Sequence, residues 1–214
     1  MYRSLSKLAL LVPLLAVLAY AGPVRAQQGS VEVTPFGGLY LPTADLATEF
    51  NGVAITPEKQ KTAFVFGARV AGWVTQAVGI EGSFGYALSD VKTDVSTGSV
   101  SSNANVWLAD LALLYAFPMQ SDVASVFVKV GPTLVGHVGS DTWDGFSGRT
   151  DIGGMGGVGV RFQVAPTVGI RVDAEDHIFS AKFKEDATGF ESGAKLQNDL
   201  MLTAGVSIRA GGSR

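Results

Sequence analysis

The chain has 214 residues, 47% of them hydrophobic, with 27 glycines, no cysteine and a formal net charge of −3. The missing cysteines exclude a disulfide framework, and the acidic balance argues against nucleic acid, which a basic patch would recognise. No run after Ala26 approaches the ~18 uninterrupted apolar residues of a membrane-spanning helix, so these hydrophobes must be accommodated in some other way.

Residues 1–26 read as a secretory signal peptide. Arg3 and Lys7 form a basic start, Leu8–Ala21 is an uncharged apolar stretch, and Val24 and Ala26 are the small residues before a cleavage point at Gln27. An uncleaved anchor is the competing reading, but the stretch is short for a span and carries Pro13. Loss of the leader removes Arg3, Lys7 and Arg25 from the 16 basic residues. That leaves 13 against 19 acidic ones, a net charge of −6 over residues 27–214, which read as one domain.

Eight strands follow in order: Val31–Tyr40, Thr62–Trp73, Val78–Leu88, Asn103–Phe117, Ala124–His137, Asp151–Val164, Val168–Ser180 and Asn198–Arg209. Successive side chains of a strand point to opposite faces, and here one face of most strands is apolar. In the second, Phe64, Phe66, Ala68 and Val70 oppose Gly67, Arg69 and Ala71. In the third, Ile80, Phe84, Tyr86 and Leu88 oppose Glu81, Ser83, Gly85 and Ala87. Trp107, Ala109, Leu111, Leu113, Tyr115 and Phe117 oppose Asp110 in the fourth, and Val126, Val128 and Val130 oppose Lys129 in the fifth. Val158, Val160 and Phe162 oppose Gly159 and Arg161. Ile170, Val172 and Ala174 oppose Arg171, Asp173 and Glu175. In the last, Leu200, Leu202, Ala204, Val206 and Ile208 oppose Thr203, Gly205, Ser207 and Arg209.

Each of these charges falls on the face away from the hydrophobes. A soluble barrel or sandwich alternates equally well, but its solvent face would be densely polar, whereas here single charges stand among glycine and alanine. Connections also alternate in length. Val74–Ala77, Pro118–Val123 and Ala165–Thr167 are short, while Leu41–Lys61, Ser89–Ser102, Val138–Thr150 and Ala181–Gln197 are long. That asymmetry is the signature of a transmembrane barrel with tight periplasmic turns and longer external loops, and it puts both termini in the periplasm. Tyr40, Trp73, Tyr86, Trp107, Tyr115, Phe117 and Phe179 stand near strand ends, where interfacial girdles form. The expected fold class is all-β, an eight-stranded antiparallel up-and-down transmembrane β-barrel.

The segments VEVTPFGGLY, VWLADLALLYAFP, GGMGGVGVRF and NDLMLTAGVSIR resemble the small eight-stranded outer-membrane barrels, the group of the OmpA transmembrane domain, over the whole of residues 27–214. The resemblance implies residence in a bacterial outer membrane, contact with its lipid and lipopolysaccharide, and delivery by the barrel insertion machinery. Family members often end on a pattern with a final aromatic residue that this machinery reads. Thr203, Gly205 and Ile208 fit it, but Ala210 takes the aromatic place, which bears on insertion efficiency. No peptidoglycan-binding domain is expected after the eighth strand, so an anchoring role does not carry over.

The charges carry the most credible constellation. Glu81, Asp110, Asp173 and Glu175 can meet Arg69, Lys129, Arg161, Arg171 and Arg209 in the lumen. Buried charges must be paired, so a salt-bridge plug is expected, with an ion or proton path as the alternative. Gly154-Met-Gly156-Gly-Val-Gly159 matches a dinucleotide-binding spacing, but a strand pattern follows rather than the required helix. Those glycines read as room inside a small barrel, and no cofactor is expected. His177 and Ser180, like His137 and Ser140, differ by three and so point apart on a strand, which leaves no ready Ser–His pair. His177 shares the face of Arg171, Asp173 and Glu175. In the loops, Asp141, Trp143, Asp144 and Phe146, with Arg149, form an aromatic-acidic cluster suited to a partner or to the lipopolysaccharide headgroups. Asp141-Thr-Trp-Asp144-Gly lacks the alternating ligands of a calcium loop, and Ala181–Gln197 reads as solvated. The expected role is structural or surface interaction by a non-enzymatic monomer. The alternatives are a narrow channel for small solutes or apolar ligands and a lipid-modifying enzyme.

Overall fold

The computed structural model describes residues 29–50, 53–95, 98–117, 123–139, 146–147, 149–189, 192 and 194–211, so the expected leader lies outside the described residues. The strands are β1 (Ser30–Pro42), β2 (Asp45–Phe50), β3 (Val53–Gln60), β4 (Ala63–Trp73), β5 (Val78–Leu88), β6 (Asp90–Val95) and β7 (Gly98–Asn103), then β8 (Asn105–Ala116), β9 (Ala124–Val138), β10 (Phe146–Ser147), β11 (Thr150–Ala165), β12 (Val168–Ala181), β13 (Lys184–Glu185) and β14 (Lys195–Gly211). Eight of them close a barrel in the order β1-β14-β12-β11-β9-β8-β5-β4. All neighbours are antiparallel, and β1 joins β14 to complete the ring. Closure leaves no barrel edge unpaired, as a backbone in lipid requires.

Side-chain exposure is inverted relative to a soluble protein. Phe64, Phe66, Val70, Ile80, Phe84, Leu111, Leu113, Val130, Ile170, Val172, Leu202 and Val206 stand exposed on the outside, while Glu32, Arg69, Glu81, Lys129, Arg171, Asp173, Glu175 and His177 are buried inside. Leaving a large apolar side chain in water costs about 1.5–3 kcal/mol relative to burying it. A wall of such residues is stable only against lipid.

The structure revises two expectations. Leu41–Lys61 and Ser89–Ser102 are not plain loops: β2 and β3 form one hairpin, β6 and β7 another, and together they make a four-stranded sheet in the order β2-β3-β6-β7. Lys59↔Lys92 and Gln60↔Val91 join the hairpins. These strands continue past the barrel, where lipid no longer enforces alternation, so the period-2 signal is lost there. Second, Tyr40, Trp73 and Phe179 do not belong to an outer girdle; all three are buried in the lumen. Their parity matches Glu32, Arg69 and Asp173 on their own strands. Tyr86, Trp107 and Tyr115 do keep the outward parity.

Pro35 and Pro132 have no N–H to donate. The β1–β14 ladder passes from Val33↔Ile208 to Phe36↔Gly205, and the β8–β9 ladder from Asp110↔Thr133 to Leu113↔Val130, without change of register. In the second gap the Leu111 carbonyl leans onto Gly131, where a Cβ would lie 1.9 Å from the oxygen. Only glycine permits that approach.

Candidate functional site

Six charged side chains from four strands meet at mid-lumen: Arg69 on β4, Glu81 on β5, Lys129 on β9, and Arg171, Asp173 and Glu175 on β12. Inward parity puts each one there, since lipid excludes the other face. Lys129 Nζ lies 3.1 Å from Glu81 and 3.2 Å from Asp173, and also pairs with Glu175. Arg171 grips two carboxylates. It donates to Glu81 at 2.5 and 3.0 Å and to Asp173 at 2.8 and 2.9 Å. Arg69 donates to Glu175 at 2.8 Å and to the Thr203 hydroxyl at 3.0 Å. Three cations therefore meet three anions. Aromatic faces back two of the guanidiniums: Phe36 lies 3.8 Å below Arg69, and Phe127 4.4 Å from Arg171. Gly157 and Gly159 make room for this packing. A Cβ on Gly157 would crowd Glu175 and Lys129, and one on Gly159 would strike Phe127 and Asp173. Gly154 and Gly156 have the opposite parity, where a Cβ would meet only the Gly131 carbonyl at 3.9 Å or nothing within 4 Å, so the glycine run only partly serves the interior.

The other three expected lumen charges stand apart from this network. Arg161 and Arg209, nearer the short turns, share one carboxylate: Glu32 accepts from Arg161 at 2.5 Å and from Arg209 at 3.1 Å. The Arg161 guanidinium also sits 5.6 Å from the Trp73 ring. Asp110 lies toward the long loops and meets His177 across the lumen, with Nε2 3.4 Å from Oδ1. Strands β9 and β11 separate their parent strands, so this contact is a crossbar over the network. Ser83 donates to Asp110 Oδ2 at 2.6 Å, and Tyr40 donates to Asp199 on the adjoining wall. Serine, carboxylate and imidazole are thus gathered, but the carboxylate stands between the other two. A hydroxyl is activated by direct contact with its base, and this order does not provide it.

Beyond the crossbar the lumen holds an apolar cluster, with His137, Asp151 and Gln197 buried beside it. Val65, Ala87, Val106, Leu108, Val135, Phe179 and Ala181 are all buried there, in one cluster with Phe36, Tyr40 and Met201. Phe183 closes this cluster from the segment after β12, with its ring edge-on to His137 at 5.3 Å between centroids. Contrary to the expectation that Ala181–Gln197 is solvated, Phe183 and Ser192 are buried.

Of the external-loop candidates, Asp141, Trp143 and Asp144 lie outside the described residues. Phe146 pairs through its backbone with Glu185 in the β10–β13 ladder. The sequence reading passed over Glu32, Tyr40 and Asp199 as lumen polar residues. The signal for Glu32 was present, since it alternates with Val31 and Val33.

A polar, paired interior inside an apolar exterior is the organisation of a membrane barrel, and the comparisons agree. The family model described as outer membrane protein beta-barrel domain matches residues 8–209. The chain belongs to that family. The bacterial outer membrane is where barrels of this family sit. The crystal structure of the outer membrane protein OprG from Pseudomonas aeruginosa is similar, with a TM-score of 0.64 and 11% identity over 88% of this chain and 99% of that one. AlkL, determined by solid-state NMR in DMPC bilayers, gives 0.56 at 15% identity over 91% and 96%. Neisserial surface protein A gives 0.53 at 15% identity over 85% and 99%. Identities this low carry the fold and not the role. No curated protein matches the chain in sequence.

Proposed function

We propose that this barrel is a closed, non-enzymatic, monomeric outer-membrane protein with a structural or surface-interaction role. Both termini face the periplasm, because the short turns lie at their end and the long connections at the other. Its partners are outer-membrane lipid and lipopolysaccharide, with the barrel insertion machinery acting in assembly. The observation that carries the closed-lumen reading is the six-charge network: it joins walls on several sides of an eight-stranded barrel, a width that side chains fill. The test is conductance of the purified protein in planar bilayers. Silence across voltage and salt is expected, and steps that change when Arg161 or Arg171 is neutralised would overturn it.

A second reading, a vestibule for small apolar molecules, is favoured by the apolar cluster in the loop-side half of the lumen. A solute entering there would meet Val106, Leu108, Val135 and Phe179 before reaching the ion network. Filling this space by Leu108→Trp should abolish binding of an apolar probe if the reading is right.

A further inference from the structure

Phe183 stands out among its neighbours. Lys182 and Lys184 on either side are exposed, while the Phe183 ring is 3% exposed and inserted among the lumen's apolar residues. A serine nine residues on holds the insertion. Ser192 Oγ accepts from the Phe183 amide at 2.8 Å, and the Ser192 amide donates to the Phe183 carbonyl at 2.8 Å. The adjoining β10–β13 ladder contributes two residue pairs. The Phe183 benzyl group is therefore packed into the apolar cluster at the loop side of the lumen.

His137 and Asp151 are buried beside this ring, and toward the crossbar further acidic groups follow. Asp110 and Asp199 are buried on the crossbar, together with His177 and the Tyr40 hydroxyl. Asp199 Oδ1 has no hydrogen-bond partner among the described residues. Buried polar atoms of this kind are normally satisfied, and a carboxylate oxygen can only accept.

We propose that the seat of Phe183 is a ligand site, and that its ligand is a small amphiphile with an aryl or branched alkyl body and a donor head, an ammonium or hydroxyl. The body replaces the Phe183 ring, and the head donates to Asp199 on the crossbar. A carboxylate head is rejected by Asp110 and Asp199. The proposal rests on the vestibule reading and adds to it the occupant's chemistry and the resident competitor.

The full-length protein in lipid nanodiscs is titrated calorimetrically with 4-phenylbutylamine and with 4-phenylbutyrate, against empty discs. A ligand that must displace the stopper binds with its affinity reduced by the open fraction. Phe183→Ala should therefore bind the amine about tenfold or more tighter than the native protein. Ser192→Ala, which keeps the ring and removes one tie, should fall between them, and it serves if Phe183→Ala fails the heat-modifiable mobility check for folding. Asp199→Asn should erase the preference for the amine. If Leu108→Trp abolishes binding but Phe183→Ala and Ser192→Ala match the native protein, the stopper is refuted and the vestibule reading stands. If the butyrate binds as well as the amine, the donor-head assignment is refuted. If no variant binds either probe, both fall.

Discussion

Lys129→Met removes the one ammonium from the mid-lumen network. Its Nζ faces Glu81 at 3.1 Å, Asp173 at 3.2 Å and Glu175 from a side chain with no exposed surface. At an effective dielectric of 20, the first two contacts alone are worth about 5 kcal/mol each in gross attraction. Desolvation of Lys129 and its repulsion from Arg69 and Arg171 offset most of this. What the mutation leaves behind sets the net cost: three carboxylates facing two guanidiniums, one buried negative charge too many. Breaking a buried pair from one side costs about 3–5 kcal/mol, and that is the expected loss. Adding Glu175→Gln restores two cations against two anions, so the double variant should recover at least about 2 kcal/mol of it. The assay is urea unfolding of the lipid-reconstituted protein followed by tryptophan fluorescence. A single-mutant loss below about 1 kcal/mol, or a double mutant showing simple additivity, would refute this account of the network.

Three further outcomes follow from the same structure and are read by the same unfolding midpoints. Glu32→Gln strands both Arg161 and Arg209, so it should destabilise the barrel more than Arg161→Met or Arg209→Met, each of which leaves a paired charge behind. Gly131→Ala must push its Cβ off the Leu111 carbonyl and should cost about 1–3 kcal/mol, while Gly156→Ala, with nothing within 4 Å, should be near neutral. Leu111→Arg puts a charge on an outward site that is 57% exposed, and in lipid it should cost about 2–4 kcal/mol; no loss in vesicles would mean that this face does not meet lipid.

The barrel was legible because lipid acts as the outer solvent on every strand. Where Phe64, Phe66 and Val70 alternate with Gly67 and Arg69, either face exchanged would place a charge in hydrocarbon, so the sequence carries the rule openly. Beyond the bilayer that pressure ends, and Asp45–Gln60 and Asp90–Asn103 pair as hairpins without alternation to announce them. The lumen's inner zoning was hidden for a related reason. Inward parity marks Val65, Leu108 and Val135 as facing the same space as Arg69 and Asp110, but parity gives no height along the axis. The crossing register of eight strands separates a loop-side apolar cluster from a charged middle. Tyr40, Trp73 and Phe179 looked like girdle residues from their nearness to strand ends, and parity with their own strands' charges was the stronger cue. Which charge meets which depends on side chains arriving from strands far apart in sequence, as Glu32 with Arg209 and Asp110 with His177 show.

The absence of native cysteine allows a direct test of the inside-out barrel. Single cysteines placed along Val78–Leu88, spin-labelled in the reconstituted protein, report access to oxygen dissolved in lipid and to a water-soluble nickel chelate. Labels at Ile80, Phe84 and Leu88 should relax strongly with oxygen, and labels at Glu81, Ser83 and Ala87 weakly with both reagents, alternating with a period of two. Strong access to the chelate at Ile80 and Phe84, with no alternation, would contradict the account.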